Sequence, residues 1–222
     1  PLFTIQGYIL TLVEGGALKD KKVRDKYLRR AAKGVDRIIS IVKDLDLITQ
    51  FESGIKTVDK SEFNIYNLIV NVFDSLEFES EKNNISLKLD NINNPLIFVS
   101  ADQERIIQVL TNLIVNSIKY GTNNGYTEIL VEDYNKEKVI VRVIDNGEGI
   151  EQEHLPRLFE RFYRIDKNRS RKKGGSGLGL SIVKHIIEAH QEEIFVESKI
   201  GEGTEFSFTL QKPETSSTKI KI

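Results

Sequence analysis

Apolar residues recur at alternating spacings of three and four in the first fifty positions, which is the period of helices that pack side by side. The first run is interrupted at Glu14-Gly15-Gly16, and a second run continues beyond the glycines. The two runs consist of Leu2, Ile5, Ile9 and Leu12, and of Leu28, Ala31, Val35, Ile38, Val42 and Leu45. The pattern predicts a helical hairpin whose second helix extends over about residues 20–51.

A single apolar stripe of this size forms too small a core to stand alone. We therefore expect two copies of the hairpin to pair and form a dimeric four-helix bundle. The alternative is that both helices are amphipathic and pack on the rest of their own chain.

A different pattern begins after Ser53-Gly54, where a polar stretch to Glu62 predicts a domain boundary near residues 54–60. Short runs typical of strands are then mixed with helical periods without strict alternation. Strands are predicted near Phe63 and over 85–89, 96–99, 127–133, 139–144, 194–197 and 205–210. Helices are predicted over 65–82, 102–120, 152–159 and 180–189. The predicted fold class is α+β: a hairpin over 1–55, an α/β sandwich with helices on one face of a mixed sheet over 60–212, and a frayed tail over 213–222.

Composition indicates a folded protein, because 39% of the 222 residues are hydrophobic and 29% are charged. The formal net charge is −1, whereas a nucleic-acid binder usually carries an excess of basic residues. We therefore expect no nucleic-acid partner. Uncharged stretches reach thirteen residues, whereas a membrane-spanning helix needs about 20. The absence of cysteine excludes disulfides and thiolate metal sites and suits a reducing compartment. Because the sequence opens at Pro1 directly on a helical pattern, we expect it to be a fragment of a longer protein.

Two amides and an ammonium group lie along one stripe of the predicted helix 102–120. Asn112 and Asn116 are one turn apart, and Lys119 follows three residues later. Amide oxygens suit Mg²⁺, and an ammonium group can meet a phosphate. The alternative is an ordinary solvated polar face.

The segment Asp145-Asn146-Gly147-Glu148-Gly149 follows a strand of alternating apolar residues. Its glycines let the backbone approach a ligand closely, and its Asp carboxylate can accept a hydrogen bond from an exocyclic amine. The same sequence is also typical of an ordinary tight turn.

A glycine cluster, Gly174-Gly175-Ser176-Gly177-Leu178-Gly179-Leu180, opens the last predicted helix, and a helix N-terminus favours anions such as phosphates. Its spacing matches neither the Rossmann fingerprint nor a P-loop, and the alternative is a flexible hinge. A basic run precedes it and is either a mobile phosphate-sensing lid or mere surface. The run consists of Arg161, Arg164, Lys167, Arg169, Arg171, Lys172 and Lys173.

Taken together, these motifs resemble the cytoplasmic core of sensor histidine kinases. Residues 112–120 resemble the N box of that family, 145–150 its first glycine box, 158–164 its F box and 175–180 its second glycine box. The hairpin at 1–53 resembles the dimerisation and phosphotransfer domain. Residues 60–212 resemble the ATP-binding domain with the Bergerat fold, which gyrase, Hsp90 and MutL share.

The resemblance implies roles for particular residues. It makes Asn116 the principal Mg²⁺ ligand with Asn112 beside it, and Asp145 the acceptor for the adenine amino group. The pocket around the adenine would be shaped by Gly147 and Gly149. The phosphates would be reached by Lys119, Tyr120 and Arg164, with Arg161 as a neighbour, and wrapped by the segment containing Gly175, Ser176, Gly177, Leu178 and Gly179.

The implied function is a kinase that binds Mg-ATP and transfers its γ-phosphate to a helical histidine, from which the phosphoryl group moves to an aspartate on a response regulator receiver domain. The implied assembly is a homodimer, and the full-length protein is expected to be anchored in the cell inner membrane through missing N-terminal segments, with this part in the cytoplasm. Two alternatives remain, namely another Bergerat-fold ATPase such as a MutL or chaperone-like protein, and a non-catalytic dimeric scaffold.

The acceptor histidine is expected just upstream of Pro1, because the family's His-Glu-x-x-Thr-Pro-like box would be ending where this sequence begins. The chain is therefore expected to contain no catalytic histidine of its own and to be unable to phosphorylate itself. We expect His154, His185 and His190 to be structural or solvated.

Overall fold

The computed structural model describes residues 2–15, 20–54, 57–90, 96–165 and 175–214. The chain divides into two compact units, Pro1–Thr49 and Gln50–Ile222. This division falls in the last turn of the second helix, a few residues before the predicted boundary at 54–60. Within the described ranges, no helix is both long and apolar enough to cross a membrane.

The first unit is the predicted helical hairpin. Helix α1 spans Leu2–Val13 and helix α2 begins at Lys21 and ends at Glu52. The start of α2 is capped by Asp20, whose Oδ1 accepts hydrogen bonds from the backbone N–H groups of Lys22 and Val23 at 2.9 and 3.2 Å. The predicted length of the second helix is confirmed.

The two helices pack in antiparallel fashion. The Tyr8 ring of α1 lies 5.6 Å from the Tyr27 ring of α2. Farther along, Gly34 of α2 faces Ile5 of α1, and a Cβ at Gly34 would lie 2.5 Å from the Ile5 Cγ1 atom. The absence of a side chain at Gly34 is what allows this close approach.

The predicted apolar stripe of α2 separates into two rows. Ala31 is buried in the single chain, and Ile38 and Leu45 are half-buried. The other row is largely exposed, at 52% for Leu28, 46% for Val35 and 59% for Val42. An unpaired apolar row therefore remains along the outside of the hairpin.

The second unit contains seven strands and three α-helices in the described residues. The strands are β1 (Ser61–Asn64), β2 (Ile85–Leu89), β3 (Phe98–Ala101), β4 (Gly125–Asp133), β5 (Lys138–Asp145), β6 (Ile194–Lys199) and β7 (Gly203–Gln211). The helices are α3 (Ile65–Lys82), α4 (Gln103–Tyr120) and α5 (Gly179–Ala189), with one 3₁₀ helix over Gln152–Arg157. Two expectations need correction. The strand predicted at 96–99 lies at Phe98–Ala101, and the helix predicted at 152–159 is a short 3₁₀ turn, because Pro156 has no backbone donor.

The main sheet has five strands in the order β2-β4-β5-β7-β6. The β2–β4 pair is parallel and the other pairs are antiparallel, so the sheet is mixed, as predicted. Strands β1 and β3 form a separate antiparallel pair, which the sequence did not predict. The alternating residues Val139, Val141 and Val143 of β5 are buried under the helical layer.

Helix α4 lies at the centre of that layer and contacts α3, α5, β4 and β5. Its N-cap is Asp102, whose Oδ1 accepts from the backbone N–H of Arg105 at 3.2 Å. Its apolar face is buried, whereas Asn112 and Asn116 lie half-buried on another stripe. The same helix thus contributes to the core and presents two amides beside it.

Candidate functional site

Asp145 ends β5 and carries a carboxylate whose two oxygens have different surroundings. Its Oδ1 accepts hydrogen bonds from the backbone N–H groups of Gly147 at 2.8 Å and Thr204 at 3.3 Å. Burial raises the pKa of this carboxyl group, against the two hydrogen bonds, which lower the pKa. No donor among the described residues reaches Oδ2. That oxygen can therefore accept a hydrogen bond from an amine on a ligand.

Two glycines allow the turn between β6 and β7 to lie directly against the loop that follows β5. Both have positive φ, +71° at Gly149 and +125° at Gly203. A Cβ at Gly149 would overlap the carbonyl oxygen of Lys199, and a Cβ at Gly203 would overlap that of Asp145. The backbone alone therefore forms this wall beside Asp145.

The C-terminal end of α4 reaches the same loop. A Cβ at Gly147 would lie 2.8 Å from the carbonyl oxygen of Tyr120 and 2.7 Å from the Asp145 Oδ1 atom. Lys119 is half-buried at this end of α4, and Tyr120 is 43% exposed. The loop after β5 and the last turn of α4 thus belong to one site.

The amide side chains of Asn112 and Asn116 are half-buried. In the described part of the chain, neither side chain forms a hydrogen bond. A Cβ at Gly179, where α5 begins, would lie 3.0 Å from the Asn112 Oδ1 atom. The amides and the start of α5 therefore meet, and the uncommitted amide oxygens fit a hard cation such as Mg²⁺.

The described part of the glycine segment is held by the F box. The backbone N–H of Phe162 donates to the carbonyl oxygen of Gly177 at 2.9 Å. Gly177 has a φ of +77°. A Cβ at this position would lie 3.0 Å from the Phe162 Cα atom, so the two backbones are in close contact. Ser176 Oγ accepts from the backbone N–H of Leu178 at 3.2 Å, and the Leu178 side chain is fully buried. The segment is thus anchored on the core immediately before α5.

The two arginines of the F box have different partners. Arg164 Nη1 donates to the carbonyl oxygen of Gly175 at 3.3 Å, and its buried Nη2 has no partner among the described residues. Arg161 instead pairs with the carboxylate of Glu52, the last residue of α2. Arg164 therefore lies at the glycine segment, and Arg161 is engaged elsewhere. Gly174 and the predicted basic residues 167–173 lie outside the described residues.

The three histidines all make contacts within the second unit. His154 Nδ1 lies 2.8 Å from the Tyr163 hydroxyl group. His185 lies 3.5 Å from the Glu52 carboxylate, and burial lowers the pKa of its imidazole. His190 is fully buried at the end of α5. That the three histidines are structural or solvated stays a prediction, with which these contacts are compatible.

Residues that sequence reasoning missed lie on the β6–β7 hairpin. Besides the backbone donor of Thr204, Ser198 Oγ accepts from the N–H of Ile150 at 2.8 Å and donates to the carbonyl oxygen of Gly203 at 2.7 Å. The Gly-x-Gly spacing at 201–203 indicates a hairpin turn. It does not indicate that the turn packs on a loop more than fifty residues earlier.

A cavity of about 460 Å³ opens beside Asp145 and Thr204. Its lining includes Leu155 and Val196 but not Asn112, Asn116 or the glycine segment. It therefore adjoins the arrangement described above and does not contain all of it.

The structure brings together the polar stripe of α4, the loop after β5, the F box and the start of α5. A half-buried carboxylate, two amides, a helix N-terminus and glycine-lined backbone form a site suited to a purine and its phosphates. On a mixed five-stranded sheet with helices on one face, this site defines an ATP-binding sandwich of the Bergerat type.

Comparison with known proteins leads to the same class. The family described as "Histidine kinase-, DNA gyrase B-, and HSP90-like ATPase" matches residues 101–214. The catalytic domain of histidine kinase ThkA is 34% identical, with a TM-score of 0.59, over 69% of this chain and 96% of that domain. The chain belongs to this ATPase family, within its histidine kinases.

Two further similarities extend over both units. "Sensor histidine kinase WalK" of Bacillus subtilis (strain 168) is 33% identical over 215 residues, which cover 96% of this chain and 35% of that protein. ThkA in complex with the response regulator protein TrrA is 30% identical with a TM-score of 0.74, over 96% of this chain and 57% of that one. The chain thus spans about a third of the length of the curated relative from Bacillus subtilis.

Proposed function

We propose that this chain is the core of a sensor histidine kinase, which binds Mg-ATP and delivers the γ-phosphate to a histidine on a helix. The phosphoryl group then passes to an aspartate of a response regulator receiver domain. The observation that carries this proposal is the half-buried carboxylate of Asp145, held on one oxygen by two backbone donors and open on the other. Membership of the histidine kinase ATPase family supports the same function.

The adenine end of the site works by hydrogen bonding and shape. Asp145 Oδ2 accepts from the exocyclic amine of adenine, while Gly147 and Gly149 keep the pocket free of side chains. Guanine has a carbonyl oxygen where adenine has this amine, and a carboxylate repels such an acceptor. The site therefore selects ATP over GTP.

The phosphate end works through oxygen ligands and positive charge. Asn116 and Asn112 offer amide oxygens to Mg²⁺, which, when bound, neutralises charge on the phosphate oxygens. Lys119 and Arg164 place cationic groups near the phosphates, with Tyr120 beside them. The N-terminus of α5 directs backbone N–H groups toward the anion.

Transfer then depends mainly on positioning and charge stabilisation, as in other phosphoryl transfers. An acceptor histidine upstream of Pro1 stays a prediction, as does membrane attachment of the whole protein. The response regulator as partner is supported by similarity to ThkA, whose structure contains TrrA. A homodimer through the hairpin is supported by the exposed row of Leu28, Val35 and Val42.

Calorimetric titration with ATP tests the proposal. We expect saturable binding in the presence of Mg²⁺, a large loss of affinity in excess EDTA, and much weaker binding of GTP. A chain that binds neither nucleotide would favour the non-catalytic scaffold. Equal binding of ATP and GTP would remove Asp145 from the base-recognition site.

The two F-box arginines provide a matched pair for the phosphate end. Arg164→Ala is expected to weaken Mg-ATP binding by about tenfold, because it removes a charged donor beside the glycine segment. Arg161→Ala removes the same charge from a residue held by Glu52 and is expected to change affinity by no more than about twofold. The same titration measures the affinity of both variants. A larger loss for Arg161→Ala than for Arg164→Ala would assign Arg161, and not Arg164, to the phosphates.

A further inference from the structure

His190 is a buried titratable residue that the proposed mechanism does not use. Its exposed fraction is 1%. Nδ1 lies 2.7 Å from the carbonyl oxygen of Ile186, and the backbone N–H of Asp102 donates to Nε2 at 2.9 Å. A carbonyl only accepts, so Nδ1 carries the proton and Nε2 the lone pair. The contacts therefore require the neutral imidazole in one tautomer.

This ring joins the far ends of two helices that form the candidate nucleotide site. Asp102 caps the start of α4, and His190 follows the end of α5. The same helices meet again where Gly179 begins α5 beside Asn112. They are therefore antiparallel, with the His190 contact at one end and the phosphate end of the site toward the other. Ten residues of helix, about 15 Å, separate Asp102 from Asn112.

Charged groups from three neighbouring segments face His190. Lys60, just before β1, donates from Nζ to the His190 carbonyl oxygen at 3.3 Å. Asp102 faces the ring from α4, and Glu192 from the residues after α5. Burial lowers the pKa of the imidazole and Lys60 lowers it further, whereas the hydrogen bond to Ile186 and the two carboxylates raise it. The net effect keeps the ring neutral near pH 7.

We propose that His190 is a positioning residue for the nucleotide site, which fixes the start of α4 against the end of α5 and so sets the spacing between Asn112 and the glycine segment. This inference rests on the proposed ATP site. Protonation places a second N–H on the ring, opposite the backbone N–H of Asp102, and breaks the contact. Because the folded-state pKa is depressed, the contact is intact above the ordinary pKa of histidine and is lost as the pH falls through the folded-state pKa. Nucleotide affinity then falls with it.

Two substitutions separate the hydrogen bond from the bulk of the ring. In His190→Gln, the side-chain oxygen can still accept from Asp102, but it does not titrate. In His190→Leu, similar volume remains and the acceptor is lost. The carbonyl oxygen of Ile186 still accepts from the backbone N–H of residue 190 in both variants. At neutral pH we expect affinity for Mg-ATP within about twofold of wild type for Gln and about tenfold weaker for Leu, measured by calorimetry on folded protein.

The pH dependence of Mg-ATP affinity is a second measurement, and a merely structural role of His190 would not change it. As the pH falls from neutral through the folded-state pKa of His190, the affinity of wild type should fall several-fold more than that of His190→Gln, because every other group that titrates, the nucleotide included, is the same in both proteins. Parallel profiles would overturn the inference, even if His190→Leu failed to fold. A lower melting temperature for His190→Leu with unchanged affinity would also overturn it. Absence of Mg-ATP binding by wild type would instead remove the proposed function itself.

Discussion

Asp145 bears a charge in surroundings that oppose it. Burial raises the pKa of its carboxyl group above the usual 3.8, so the folded chain holds that proton more tightly than the unfolded chain does. The ionised form therefore reduces stability as the pH rises through the folded-state pKa. A ligand amine that donates to Oδ2 recovers part of this cost.

Asp145→Asn is expected to weaken Mg-ATP binding by about tenfold or more, because a charged acceptor is lost. The same change should raise the melting temperature without nucleotide at pH 7, since it removes a partly desolvated charge and keeps an oxygen for Gly147 and Thr204. The gain should shrink as the pH falls through the folded-state pKa, because the wild-type carboxyl group then becomes protonated. Calorimetry and thermal unfolding measure the two effects.

The control for this prediction is Glu148→Gln, which neutralises an exposed carboxylate three residues farther along the chain. It should change neither affinity nor melting temperature appreciably. Equal effects of the two variants would contradict the assignment of Asp145.

Asn116→Ala removes an amide that no described residue uses. We expect Mg-dependent ATP affinity to fall by about tenfold, with stability unchanged or slightly higher, because alanine favours helix more than asparagine does. Gln103→Ala, an exposed amide at the start of α4, is the matched control. Unchanged binding of Mg-ATP by Asn116→Ala would reject the ligand assignment.

At the scale of elements, the β6–β7 turn depends on close contact between its own backbone and the backbone at the end of β5. Gly203→Ala is expected to destabilise the fold by more than about 3 kcal/mol, because its Cβ would overlap the Asp145 carbonyl oxygen at a positive φ. Gly201 also has a positive φ, +78°, but a Cβ there would meet nothing within 4 Å. Gly201→Ala should therefore cost only about 1 kcal/mol. Denaturant unfolding compares them, and equal losses would show that backbone strain alone decides the outcome.

The sequence predicts where helices and strands lie along the chain better than it predicts which strands pair with one another. Helix α4 and strand β5 are predicted to within one residue, because their apolar periods of 3.6 and 2 are regular. The β1–β3 pair was missed, since strands of four residues carry little periodicity and pair across the whole of α3. The motifs located Asn112, Asn116 and Asp145, but the donor from Thr204 depends on a strand pairing that no local pattern records.

At the scale of the molecule, the exposed row on α2 predicts how two chains meet. Val42→Asp is expected to convert a dimer into monomers by light scattering, because an unpaired carboxylate would be buried at the seam. Val42 is 59% exposed in one chain, so this substitution should leave the hairpin itself intact. Ile38 is half-buried already and would not separate the two effects.

Ser40→Asp is the control, because it adds the same charge on an exposed position two residues earlier on α2. It should stay dimeric. A dimer that survives Val42→Asp would place the interface on another surface.

The order of the sheet also bears on how the protein is made. Strand β7 is the last strand along the described part of the chain, yet it lies between β5 and β6 and supplies the Thr204 donor to Asp145. At about 5–20 residues per second, a ribosome needs several seconds to proceed from β5 to the end of β7. During that interval one side of β5 is unpaired, and the proposed adenine end of the site does not yet exist. Nucleotide can therefore stabilise the finished domain, but it cannot guide the folding of the nascent chain.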